Sequence, residues 1–179
     1  MKETAQEYTA RMLSFSAGAD PLTILSETPA RLRALLHGKS QADLRWTPDP
    51  KRWSITQIVA HLADSELVLG YRTRMILASP GTDIQAFDQD EWSRTQRSES
   101  GDPQASLAVF SALRPSLLGL VRGLTPEELD RFGIHAERGK ESIRHLVNMY
   151  AGHDRNHLAQ IERLFEESSR RNSYTEQRS

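Results

Sequence analysis

Residues 143–165 read IRHLVNMYAGHDRNHLAQIERLF. Ile143, Leu146, Val147, Tyr150, Leu158, Ile161, Leu164 and Phe165 recur at the three- and four-residue spacing of one helical face. His153 and His157 fall on the same stripe, four residues apart, so their imidazoles stand one above the other and can reach a common ion. Two ligands are too few for tight binding. Either another helix supplies a third, or the pair is a polar patch on an ordinary helical bundle.

Working outward, Ser54-Ile55-Thr56-Gln57 matches a capping box, with Ser54 accepting from the backbone and Gln57 reaching back. Ile58, Val59, Leu62, Leu67 and Val68 then mark an apolar face that runs through Tyr71, Met75 and Leu77 to Ser79-Pro80-Gly81. An earlier helix is expected from Pro21 to His37-Gly38 on Leu22, Leu25, Leu32, Leu35 and Leu36. A later one runs from Pro103 to Gly123 on Leu107, Phe110, Leu113, Leu117, Leu118 and Val121, with Pro115 expected to kink or shorten it. Thr125-Pro126-Glu127-Glu128 starts a short extra helix near Leu129.

The connections read as loops. The proline-punctuated segment around Trp46 should pack down on the bundle. Residues 79–102 read as a long loop or short helical turn anchored by Phe87 and Trp92, a candidate pocket wall. Residues 132–140 read as irregular chain. No long alternating strand and no fixed-period repeat occurs, so the expected fold is all-α: an up-and-down four-helix bundle with a short extra helix. Residues 1–19 are expected to be an N-terminal extension with little pattern, 20–167 the bundle domain, and 168–179 a polar, disordered tail.

Composition narrows the function. The chain of 179 residues carries 23 Lys and Arg against 24 Asp and Glu, with no basic block, which argues against a nucleic-acid partner. It has no cysteine, so any metal must be held by His, Asp or Glu, and any thiol must come from outside. The N-terminus lacks the apolar core of a signal peptide and no run of about 18 apolar residues suggests a membrane span, so a cytoplasmic location is expected.

The remaining histidines differ in position. His37 precedes Gly38 at a helix end, where an imidazolium complements the dipole. His145 lies about 12 Å along the axis from His153 at 1.5 Å per residue, too far to share its ion. His135 sits in the irregular stretch and could face a pocket. His61 interrupts the apolar stripe between Ile58 and Leu62. Alone it would be an ordinary core histidine; with the later pair it would complete a three-ligand, one-open-position site, and spacing by itself leaves both readings open. The metalloprotease pattern His-Glu-x-x-His is not met, because the second residue is Asp154. Nor does the chain contain the Glu-x-x-His motifs of di-iron bundles.

Trp53-Ser54-Ile55-Thr56-Gln57-Ile58-Val59-Ala60-His61-Leu62-Ala63-Asp64-Ser65-Glu66 and Gly152-His153-Asp154-Arg155-Asn156-His157-Leu158-Ala159-Gln160-Ile161 resemble the helix-two and closing signatures of the DinB/YfiT-like superfamily. Phe87 to Trp92 and His135 to Gly139 resemble stretches of one branch of it, and the resemblance spans roughly residues 20–166 in the same element order. It implies a four-helix bundle, His61, His153 and His157 as metal ligands with water completing the shell, a divalent ion that is commonly zinc or nickel, and often a homodimer. Characterised members include bacillithiol transferases and a mycothiol-dependent maleylpyruvate isomerase. The implied function is transfer of a low-molecular thiol to an electrophilic small molecule. A metal-dependent hydrolase or a non-catalytic stress-response binding module is the alternative. Asp64 and Gln160, each three residues after a ligand, are placed to orient ligand or substrate, or else to make ordinary interhelical hydrogen bonds. Glu66 and Asp154 are expected to be solvated or paired with arginines, and Trp46, Trp53, Phe87 and Trp92 to pack, with Trp92 a possible pocket-mouth residue.

Overall fold

A computed structural model describes residues 3–176, with side chains to residue 171. Its frame is four long helices: α2 (Pro21–Leu36), α4 (Ile55–Ala78), α6 (Pro103–Arg122) and α8 (Ile143–Glu176). Three of the four starts have a local cause. Asp20 caps α2, Ser54 and Gln57 form the capping box of α4, and Asp102 caps α6 with Pro103 in the first turn. Pro115 stays inside a continuous α6.

Packing closes these helices into a bundle in which α2 lies along α6 and α8, and α4 along the same two. The order around the bundle is therefore α2, α6, α4, α8. By length and composition α6 could cross a bilayer. Here Leu107, Phe110, Arg114, Leu117, Leu118 and Val121 are buried in the bundle while Val109 stays exposed, so it is an amphipathic core helix.

Shorter elements refine the expected loops. Helix α1 (Ala5–Ser16), capped by Thr4 and Glu7, lies along α8 and buries Met12 completely, so most of the segment expected to be a patternless extension is packed structure. Its fit depends on Gly152, where a Cβ would stand 1.8 Å from the Met12 carbonyl oxygen. Helix α3 (Gln41–Arg45) has its own capping box from Ser40 and Asp43, and α5 (Gln89–Thr95) is capped by Asp88. The short helix expected near Leu129 is α7 (Pro126–Leu129), with a Thr125–Glu128 capping box.

The irregular stretch at 132–140 is instead part of a small sheet. Strand β1 (Asp83–Ile84) pairs parallel with β2 (Phe132–His135), which pairs antiparallel with β3 (Gly139–Ser142). Strands of two to four residues are too short to show alternation in sequence. At the other end α8 continues to Glu176, so the stretch expected to be a disordered tail is helical through that residue, and 177–179 lie outside the described residues.

Two apolar clusters fill the interior. One gathers Met12, Leu25, Leu69, Ile76, Leu117, Ile143 and Leu146. The other gathers Leu32, Leu36, Ile58, Leu62, Phe110, Leu158 and Ile161. Along α4, α6 and α8 the residues between the clusters include Glu66, Arg114, His153, Asp154 and His157, all buried. The bundle thus carries a polar layer through its middle, and that layer holds the site.

Candidate metal centre

Helix α8 turns His153 and His157 inward on successive turns, and α4 presents His61 to them from across the bundle. The Nε2 atoms of His61 and His153 are 2.9 Å apart, and those of His153 and His157 are 3.1 Å apart. All three donors lie within 4.8 Å of one another on buried side chains. The Nε2 of His153 carries either one proton or one lone pair, so it cannot satisfy both neighbours as an ordinary hydrogen bond would. A cation satisfies all three at once. With metal–nitrogen bonds of about 2.0–2.1 Å, tetrahedral ligands stand roughly 3.3 Å apart, within a few tenths of the observed spacings. The residues present fit a divalent ion.

The surroundings prepare these rings as ligands. Burial holds all three well below the ordinary histidine range, with His157 adding to the effect at His61 and His153. At His157 a hydrogen bond to Gln160 opposes burial, and its pKa lies at about 4. All three are therefore neutral near pH 7, with lone pairs available. In the tautomer with a proton on Nδ1, His157 donates to Gln160 Oε1 at 2.9 Å and leaves Nε2 free for the ion. Ser65 Oγ stands 3.4 Å from His61 Nε2, and the rings of Trp53 and Tyr150 pack on His61 and His153 at 5.0 and 5.8 Å. The Nδ1 of His153 is buried without a partner among the described residues.

Of the two residues expected to orient ligands, Gln160 touches one. Asp64 is half-buried and hydrogen-bonds Gln96; burial raises its carboxyl pKa and that bond opposes the rise. Glu66 and Asp154 are not solvated but buried, and both face Arg114. Its Nη1 donates to Asp154 Oδ2 at 2.7 Å and to the Leu25 carbonyl at 2.8 Å, and its Nη2 is 2.9 Å from Glu66 Oε2. One guanidinium thereby ties α2, α4, α6 and α8 together. Burial raises the Glu66 carboxyl, opposed by Arg114. This buried group of one guanidinium and two acidic side chains lies beside the ligand pair, since Asp154 directly follows His153.

His61 and His153 open onto a cavity of about 400 Å³. Its walls include Tyr8 of α1, Ser65 and Arg72 of α4, Phe87, and His135 and Arg138 of the sheet and its turn. His135 is thus a wall residue, as its position allowed. It accepts at Nδ1 from the backbone N–H groups of Glu137 and Arg138, and burial lowers its pKa to about 4. Trp92 stacks on Phe87 at 4.7 Å and lines a neighbouring cavity of about 890 Å³ instead. His37 caps α2, and His145 Nε2 lies 3.8 Å from Glu141, both away from the centre. Sequence reasoning missed Arg72, Arg114, Tyr8 and Tyr150. The one available signal was an arginine inside an apolar stripe, as at Arg114 between Phe110 and Leu117.

Comparison with known proteins identifies the family of this chain. The model of the DinB superfamily matches residues 24–161, and the chain belongs to that superfamily. Over 145 residues it is 28% identical to the Bacillus subtilis protein named "Putative metal-dependent hydrolase YfiT", covering 80% of this chain and 81% of that one. A protein of Oceanobacillus iheyensis, also named a "Putative metal-dependent hydrolase", is 29% identical over 131 residues, covering 73% and 75%. The solved structure of YfiT, described as having "an unusual four-helix bundle topology", matches with a TM-score of 0.78 at 23% identity over 94% of this chain and 91% of that one. At that identity the structural match establishes the fold alone.

Proposed function

We propose that this chain is a metal-dependent enzyme in which His61, His153 and His157 hold a divalent ion, zinc or nickel, and a nucleophile attacks a small-molecule electrophile in the adjoining cavity. The observation that carries this reading is the convergence of three buried, neutral imidazoles, two of which, His61 and His153, line a 400 Å³ cavity. An ion held by neutral imidazoles keeps its full charge and lowers the pKa of a water or thiol in its open position toward neutrality. The chain's own residues orient and enclose that chemistry. Gln160 fixes the His157 ring, Trp53 covers His61, and Ser65 and Tyr150 offer hydroxyls to the cavity.

Two nucleophiles are proposed. The names of the relatives support water, hence hydrolysis. Transfer of a low-molecular thiol is supported by the family resemblance, and with no cysteine in the chain that thiol must enter as a cosubstrate. The test has two stages. Elemental analysis of untagged protein should find about one ion per chain, lost in His61→Ala and His153→Ala; wild-type protein that stays metal-free when offered zinc or nickel overturns the proposal. The loaded protein is then assayed on ester, amide and alkyl-halide panels with and without a small thiol. Turnover without thiol selects hydrolysis, thiol-dependent turnover selects transfer, and a loaded protein inert on every panel favours the non-catalytic binding module.

A further inference from the structure

We propose that Arg72 is an anion anchor, and that the substrate of the histidine centre carries a carboxylate or equivalent oxyanion several bonds from its reacting atom. The proposal rests on the metal-dependent reading above and names the substrate class it implies. Arg72 lines the same cavity as His61 and His153 and is only 5% exposed. A guanidinium remains charged when buried, and an uncompensated buried charge is costly. Yet among the described residues no carboxylate pairs with Arg72. Its polar contacts are to neutral groups, Nη1 to the Tyr150 hydroxyl at 3.4 Å and Nη2 to the Gln85 carbonyl, and its guanidinium lies 5.9 Å from the Phe87 ring centroid.

Every other charged wall residue is accounted for. Arg138 is committed to Glu141 by two hydrogen bonds at 2.6 and 3.0 Å. Glu3, exposed on the rim, is tied to Arg11, and Glu137 is exposed to solvent. His135 is held neutral near pH 7 by burial. The cavity therefore has one unbalanced buried charge, and it is positive. Of the five N–H donors of a guanidinium, two are used here, and the planar fork that remains matches a carboxylate. Arg72 follows His61 by about three helical turns, or roughly 16 Å along the α4 axis. Its Nη1 reaches the hydroxyl of Tyr150, whose ring packs on that of His153. A ligand that reaches from the fork to the Nε2 cluster thus needs a spacer between its anionic group and its electrophile.

The test is calorimetric titration of the zinc-loaded full chain with hexanoate and with hexanamide, which match in size and differ in charge. Hexanoate is expected to bind about tenfold tighter or more, as charge-assisted bonds predict. In Arg72→Met that ratio should collapse toward one, with zinc content by elemental analysis unchanged. Equal affinities in the wild type overturn the proposal, as does a ratio that survives in Arg72→Met, since the anion then sits on the ion. If Arg72→Met does not fold, Arg72→Lys decides: its ammonium cannot fork, so the ratio should fall about threefold or more, and an unchanged ratio overturns the anchor. The two readings fail separately. A chain that retains no zinc yet prefers hexanoate keeps the anchor and removes the metal enzyme, while one zinc per chain without preference does the reverse.

Discussion

Gln160 shows how one side chain at the centre acts through another. Its Oε1 meets His157 Nδ1 at 2.9 Å, so it selects the tautomer and ring angle that leave Nε2 for the ion. Removing that partner without changing the fold should weaken metal binding by about 10- to 100-fold. The expected result for Gln160→Leu, read by competition against a chromophoric chelator, is such a loss with the wild-type melting temperature. Asp64→Asn should leave the affinity unchanged, because Asp64 partners Gln96; a comparable loss there would place Asp64 on the ligands. Spacing alone put both residues three positions after a histidine and could not separate them, because it does not tell which way a side chain turns. It did bring out the three histidines, since i, i+4 on one helix and an interruption of an apolar stripe on another are visible in one dimension. Arg72 was hidden. Its meaning lies in what fails to surround it, and a missing counter-ion is a property of space.

At the scale of elements, the capped helices were legible because a cap is a local event: Ser54 with Gln57, Pro103 after Asp102, and Thr125 with Glu128 each sit within a few residues. The short strands were not, because β1 pairs with β2 across some fifty residues and neither is long enough for a period. Helix α1 was missed for a related reason: its helical stripe is short, and its partner surface includes a glycine far along the chain. Gly152 lets the α1 backbone approach α8, and a Cβ there meets Met12 O at 1.8 Å. Gly152→Ala must therefore push α1 outward, since backbone cannot yield as a flexible side chain does. The expected cost is about 1–3 kcal/mol, typical of overpacking, together with faster amide exchange confined to 5–16. Since Tyr8 of α1 walls the cavity, ligand affinity should fall more than metal affinity. Arg114 predicts a different pattern. Arg114→Met strands Glu66 and Asp154 in the interior, so urea denaturation should show a loss of about 3–5 kcal/mol felt by all four long helices at once.

For the whole molecule, the polar layer makes stability depend on pH with a definite sign. His135 has its folded pKa lowered from 6.5 to about 4 by burial, while its Nδ1 accepts two backbone N–H bonds that a proton would displace. Between those values the unfolded chain binds a proton that the folded chain does not, so stability rises with pH across the window. The contribution is present in full above about pH 6.5 and is lost as pH falls toward 4, on the order of 3 kcal/mol for this one group at 1.36 kcal/mol per unit. In metal-free protein the three centre histidines, lowered in the same direction, steepen that fall. Glu66 works the other way: its raised pKa gives a contribution that is present at low pH and lost as pH rises through its folded value, which offsets part of the slope. Loaded protein should resist acid longer, until protons displace the ion from its imidazoles. Urea midpoints of metal-free protein measured at intervals from pH 7.5 to 4.5 should therefore fall steadily, and His135→Gln should flatten the curve below pH 6.5. An unchanged slope in that variant would show that His135 titrates alike in the folded and unfolded chain, so that below about pH 6.5 the cavity wall beside Arg72 carries a second positive charge.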